Sequence, residues 1–179
     1  GGEPLVRRDC CRLVKRIKAV EGIEKVTITT NGLLLRQYLP ALMDAGIDGI
    51  NISLDTLDRQ RYKELTGTDG LNEVLETIKE ASALPVPVKI NAVSLDLGGS
   101  GNEKPDWLQL AGLAERFPVD VRFIEMMPIG YGKQFKTVDH EQLLEAFKAE
   151  FPDIKEDLRQ HGFGPAVYYQ IPGFLGSIG

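Results

Sequence analysis

Asp48-Gly49-Ile50-Asn51-Ile52-Ser53-Leu54-Asp55 is an apolar strand that carries a polar residue at every second place in its latter half. Successive side chains of a strand point to opposite faces, so Asn51, Ser53 and Asp55 share one face while Ile52 and Leu54 share the other. Outward from this run, apolar strand-like stretches recur at residues 25–30, 87–93 and 119–125. They alternate with helix-like stretches at 8–20, 33–45, 71–84 and 107–117. That alternation predicts an α/β fold with a parallel sheet. Each strand-plus-helix unit takes roughly 25 to 35 residues, the scale of a barrel or a doubly wound sheet. Only four to five units are visible where a closed barrel needs about eight, which predicts a partial barrel.

Leu71, Val74, Leu75 and Ile78 give the third helical stretch a well-defined apolar face. Pro40 lies inside the second stretch and predicts a break or a fresh start there, because proline lacks a backbone donor. Gly46 fits a helix stop. Residues 98–102 read as a connector and 126–135 as a glycine- and proline-bearing loop. A further helix is expected at 139–151 with Leu143, Leu144 and Phe147 inward, and a last strand at 166–171. The whole, residues 1–179, is expected to be a single domain that begins mid-unit.

The 179 residues are 42% hydrophobic and 26% charged, enough apolar content for a core. A net charge of −5 argues against a nucleic-acid partner, which would need a basic face. No apolar run approaches the roughly 18 residues of a membrane span, and the N-terminus is no signal peptide, so a cytoplasmic protein without a membrane partner is expected. The only cysteines, Cys10 and Cys11, are adjacent, and fall with Leu13, Val14 and Ile17 on what reads as a buried helical stripe. They are expected to be core thiols, and no metal site is assigned to the residues present. His140 and His161 show no metal-ligand spacing and are expected at the surface.

In parallel α/β folds ligands gather at the carboxyl ends of the strands. Gly2-Glu3-Pro4 could offer free backbone groups there, or be a simple turn. Thr29-Thr30-Asn31-Gly32 sets two hydroxyls and an amide before a tight turn. Asp55 could bind a ligand with Asn51 and Ser53, or it or Thr56 could cap the next helix. Lys89 and Asn91 share a face of an otherwise apolar strand. A lysine there calls for an anion such as phosphate, or for a salt bridge to Asp55 or Glu125. Arg122 repeats the theme on the fourth strand, ahead of Met126 and Met127.

In this order and spacing, Gly-Gly-Glu-Pro at 1–4, Thr-Thr-Asn-Gly at 29–32, Asn-Ile-Ser-Leu-Asp at 51–55, Val-Lys-Ile-Asn at 88–91 and Arg-Phe-Ile-Glu-Met-Met at 122–127 resemble the molybdenum cofactor biosynthesis protein A (MoaA) family. These are the GTP 3′,8-cyclases of the radical S-adenosylmethionine (radical SAM) superfamily. The resemblance extends to the tail, Gly164-Pro165-Ala166-Val167-Tyr168-Tyr169. It implies a partial, TIM-like (β/α) barrel of the radical SAM type. In it a 4Fe-4S cluster cleaves S-adenosylmethionine, and the radical converts GTP to (8S)-3′,8-cyclo-7,8-dihydroguanosine triphosphate for cyclic pyranopterin monophosphate synthase to use. Carried over by position, Gly2, Ser53 and Met127 match S-adenosylmethionine contacts, and Thr29 and Lys89 match GTP contacts. Glu3, Asn31, Asp55, Asn91 and Arg122 form a second tier, and no residue is assigned a catalytic role. The family's cluster cysteines lie upstream and downstream of the matching segment. The chain is therefore expected to be truncated at both ends, inactive by itself, and prone to self-association through an open sheet edge. The competing expectations are a peptide-modifying radical SAM enzyme and a non-catalytic fragment.

Overall fold

The computed structural model describes residues 2–94, 105–126, 138–161, 164 and 166–179. A short 3-10 turn, Pro4–Val6, leads into α1 (Cys10–Lys18). There follow β1 (Thr27–Thr30), α2 (Leu35–Asp44), β2 (Gly49–Ser53), α3 (Arg59–Thr66), α4 (Leu71–Ser82), β3 (Val88–Val93), α5 (Asp106–Arg116), β4 (Asp120–Ile124) and α6 (His140–Glu150). The four strands form one parallel sheet in the order β1-β2-β3-β4. Strand–helix–strand crossovers are right-handed, so an order that never reverses keeps every crossover helix on one face. This is the topology of a barrel segment, as the alternation of strands and helices predicted.

Burial separates the two faces. Toward the helices point Ile28, Ile50, Ile52, Leu54, Val88, Ile90, Ala92, Val121 and Phe123, all buried. Each fully buried isoleucine or leucine contributes about 1.5–3 kcal/mol. The inner face carries Thr27, Thr29, Asn51, Ser53, Lys89, Asn91, Asp120 and Arg122 instead. Helix α6 closes the β4 side with Leu143 and Phe147 buried, while Leu144 is half-buried. The Phe147 ring meets Trp107 edge-on, with centroids 4.7 Å apart.

Several expectations change. Helix α2 runs unbroken through Pro40. Pro40 sits on the solvent side, where the carbonyl that would have accepted its missing N–H can be hydrated. Of the stripe on α1, Cys10 and Val14 are buried, but Leu13 and Ile17 are 40% and 37% exposed. Helix α3 was not read from the sequence. Asp58 caps it, accepting the Arg61 N–H at 2.7 Å, so neither Asp55 nor Thr56 does. Gly46 does end the second helical stretch, at φ 79°. The expected connector at 98–102, and the loop expected at 126–135 from residue 127 onward, lie outside the described residues.

After α6, β5 (Lys155–Asp157) and β6 (Tyr168–Gln170) form an antiparallel ribbon. Ile178 bridges Val121 in parallel and Tyr169 in antiparallel sense, which inserts residues 177–179 between β4 and β6. The ribbon thereby continues the sheet and curls back over its inner face. No helix among the described residues is long and apolar enough to cross a membrane.

Candidate functional site

Register stacks the inner-face polar residues in two layers. Thr29, Asn51, Lys89 and Asp120 are aligned across the four strands; Ser53, Asn91 and Arg122 form the next layer toward the carboxyl ends. Two residues along a strand separate the layers by about 6.6 Å.

At the rim, Glu3 ties the first loop to the end of β1. Its carboxylate accepts the Thr30 hydroxyl at 2.6 Å, the Asn31 backbone N–H at 2.7 Å and the Leu5 N–H at 3.1 Å. Glu3 is therefore committed to the scaffold. The Asn31 side chain is likewise engaged, accepting the Leu33 N–H at 3.1 Å. Gly2 adopts φ 120°, a conformation that L side chains rarely reach, and faces open space. Ser53 is exposed on the same rim, at the end of β2. Asp55 accepts the Val93 N–H at 2.8 Å, joining the end of β2 to β3. Burial pushes its carboxyl above the ordinary value, and that hydrogen bond offsets the shift only in part.

In the layer of Ser53, an amide network holds Arg122. Its Nε and Nη2 donate to Asn91 Oδ1 at 2.9 and 2.6 Å, and Nη2 donates to Asn51 Oδ1 at 3.0 Å. Asn51 in turn donates to the Thr29 hydroxyl at 3.3 Å. These partners are neutral, and no carboxylate among the described residues pairs with the guanidinium. Arg122 borders two cavities, one of about 570 Å³ under the ribbon and an apolar one of about 710 Å³ beside α6.

Lys89 is 9% exposed and has partners other than those expected. Asp120, in register beside it, stands at 3.4 Å; neither Asp55 nor Glu125 is its ion-pair partner. Its ammonium also donates to the Tyr168 hydroxyl at 2.8 Å and to the His161 carbonyl. His161 is not at the surface: its side chain is 10% exposed, and its ring nitrogens lie 2.9 Å from Asp120 and 2.9 Å from Asp157. His140, on the first turn of α6, is exposed as expected. Asp157 also takes the Arg159 guanidinium, at 2.6 Å, and the Ser177 hydroxyl, at 2.9 Å. Arg159, then the Asp157 hydrogen bonds, hold that carboxyl far below the usual range.

The structure therefore brings Thr29, Asn51, Asn91 and Arg122 into one hydrogen-bonded network, with Ser53 in the layer of Asn91 and Arg122 and Gly2 at the rim. Lys89 sits in the layer of Thr29 and Asn51, in the ribbon's grasp. Met127 lies outside the described residues. Sequence reasoning missed Asp120, Asp157 and Tyr168. For Asp120 a signal existed: it has the same strand parity as Arg122.

Cys10 and Cys11 do not fit a 4Fe-4S cluster. Cys10 is packed in the core beneath α1, and burial pushes both thiols up, away from the thiolate that iron requires. Gly2 has open space where a Cβ would stand, and Ser53 is exposed.

Residues 1–111 match the family model of the radical SAM superfamily. Over 179 residues the chain is 42% identical to a protein of Clostridium perfringens named GTP 3′,8-cyclase, covering all of this chain and 54% of that protein. It is 37% identical to molybdenum cofactor biosynthesis protein 1 of Bos taurus, covering 99% of this chain and 28% of that protein. Among solved structures, a domain of the pyruvate-formate lyase-activating enzyme from Bacteroides vulgatus superposes with a TM-score of 0.63 at 19% identity, over 83% of this chain and 88% of that one. The chain thus spans about half the length of the first of these relatives.

Proposed function

The chain belongs to the radical SAM superfamily, and from that premise we propose that it forms the substrate-binding wall of a GTP 3′,8-cyclase barrel, acting in molybdenum cofactor biosynthesis. The observation that carries this reading is Arg122, a half-buried guanidinium held by two asparagines, with no acid among the described residues to neutralise it. Such a group stays uncompensated until an anion arrives, and a planar donor fork suits phosphate oxygens. Among the described residues Nη1 makes no hydrogen bond, which leaves its N–H groups for the ligand. The identity to proteins named for this activity, running along the full chain, supports GTP as the source of the anion.

In this reading Gly2 and Ser53 hold S-adenosylmethionine at the rim, Gly2 through its backbone and Ser53 through its hydroxyl, with Met127 as a third contact. Thr29, Asn91, Arg122 and Lys89 meet GTP, and Glu3 and Asp55 fix the loops between. The superfamily's radical chemistry needs a reduced iron-sulfur cluster next to S-adenosylmethionine, and the two cysteines present do not fit one. What this chain's own residues do is bind, orient and neutralise charge.

Amide chemical-shift mapping with GTP and Mg2+ tests the reading. Perturbations are expected at Thr29, Asn51, Asn91 and Arg122, with S-adenosylmethionine moving Gly2 and Ser53. Shifts confined to the helices or scattered over the outer face would refute it.

A further inference from the structure

We propose that Tyr168, a residue of the ribbon rather than of any strand-end motif, is a positioning residue for Lys89. The inference rests on reading Lys89 as a triphosphate contact. An ammonium has three N–H donors. On Lys89 two of them go to the Tyr168 hydroxyl at 2.8 Å and the His161 carbonyl, and the Asp120 carboxylate stands at ion-pair distance, 3.4 Å. The ammonium also lies 4.6 Å from the centroid of the Tyr168 ring, close enough for cation–π attraction.

Tyr168 is itself held. Its ring stacks on His161 with centroids 4.1 Å apart and planes 13° from parallel. His161 is pinned at one nitrogen by Asp120 of the sheet and at the other by Asp157 of the ribbon. A flexible four-carbon lysine stem is thereby fixed at its tip, on a plate anchored to both layers. Loss of side-chain freedom is a cost that an unplaced lysine would meet on binding.

The three partners are not equivalent. Asp120 makes the longest contact and keeps His161 as an alternative partner, so it is the one a phosphate oxygen replaces. The tyrosine hydroxyl, which accepts from Lys89, remains. Tyr168 thus holds the cation in place before and after the anion arrives, while Asp120 serves as its counter-ion in the unliganded protein.

The test compares the wild-type chain with Tyr168→Phe, which keeps the ring and loses the hydroxyl. Acetylation of Lys89 by an N-hydroxysuccinimide ester is followed by peptide mass spectrometry, with Lys15 and Lys148 as exposed controls. Lys89 is expected to label about tenfold faster in the variant, the factor that one lost hydrogen bond to a charged group implies, with the controls unchanged. GTP affinity is expected to fall by a similar factor. Equal Lys89 labelling in the two proteins overturns the proposal. Should the variant unfold and every lysine label alike, the wild-type protein decides by NMR: the Lys89 ε-methylene protons shift upfield under the Tyr168 ring, or, if they resonate at their ordinary position, the proposal fails. Faster labelling in the variant, with no GTP binding by the wild type, would sink the cyclase reading and leave the positioning role intact. GTP binding that is lost in Lys89→Ala and unaltered in Tyr168→Phe would do the reverse.

Discussion

The Glu3 carboxylate accepts the Asn31 backbone N–H at 2.7 Å across 28 positions of sequence, and through it the first loop is fastened to the end of β1. The same carboxylate takes the Thr30 hydroxyl at 2.6 Å. Glu3→Ala removes the acceptor and leaves the 2%-exposed Thr30 hydroxyl without it. A loss of about 1–3 kcal/mol is expected in urea unfolding. Hydrogen exchange at Asn31 should accelerate, while exchange at β3 stays slow. Unchanged exchange at Asn31 would show that the loop is held by something else.

Asp106 is the next test of the scaffold. Its carboxylate accepts the Arg61 guanidinium at 2.6 Å and the Thr56 hydroxyl, joining the start of α5 to α3 and the segment before it. It is 9% exposed and Thr56 is fully buried. Asp106→Ala should cost about 1–3 kcal/mol, because it takes away the acceptor of the buried Thr56 hydroxyl. Thermal unfolding reads this directly, and a loss below about 0.5 kcal/mol, the range of an ordinary surface change, would contradict it.

Asp55 and Asp48 should respond to pH in opposite senses. Burial raises the Asp55 carboxyl above its ordinary 3.8, so folding favours the protonated form. Its contribution is most favourable below 3.8 and is lost as pH rises through the folded value. Asp55→Asn, which keeps an acceptor for the Val93 N–H, should therefore stabilise the protein at pH 7 and be neutral at pH 3. A variant less stable than wild type at pH 7 would show that the charge itself is needed.

Lys18 and the Val26 N–H, by contrast, hold Asp48 below 3.8. That contribution is complete above 3.8 and disappears as pH falls through the lower folded value. Asp48→Asn should destabilise at pH 7, and the difference from wild type should shrink toward pH 2. A pH-independent difference would rule out charge as the cause.

Much of this architecture could be read in the order of residues, because the informative signals are local. Alternation within Asn51-Ile52-Ser53-Leu54-Asp55 is fixed by strand geometry alone, so the polar inner face and apolar outer face followed without coordinates. Helix α3 was hidden because its residues are almost all polar, with Tyr62 the one buried side chain. Register was also out of reach. The sequence places Lys89 and Asp120 on strands, but only pairing sets them side by side. Half of the ribbon was legible, since the strand expected at 166–171 is β6, but its partner Lys155–Asp157 is a three-residue strand without apolar alternation. Its fold therefore comes from contacts with β6 and the 177–179 segment, and with it comes the burial of His161.

The central claim is that the inner face of this sheet is a triphosphate site organised by Arg122. Calorimetric titration of GTP with Mg2+ into the wild-type chain and into Arg122→Ala tests it most directly. Removing one charge-assisted contact should weaken GTP binding about tenfold to a hundredfold, with inorganic tripolyphosphate showing the same loss. Equal affinity of the two proteins for GTP, or no binding by the wild type, would contradict the claim.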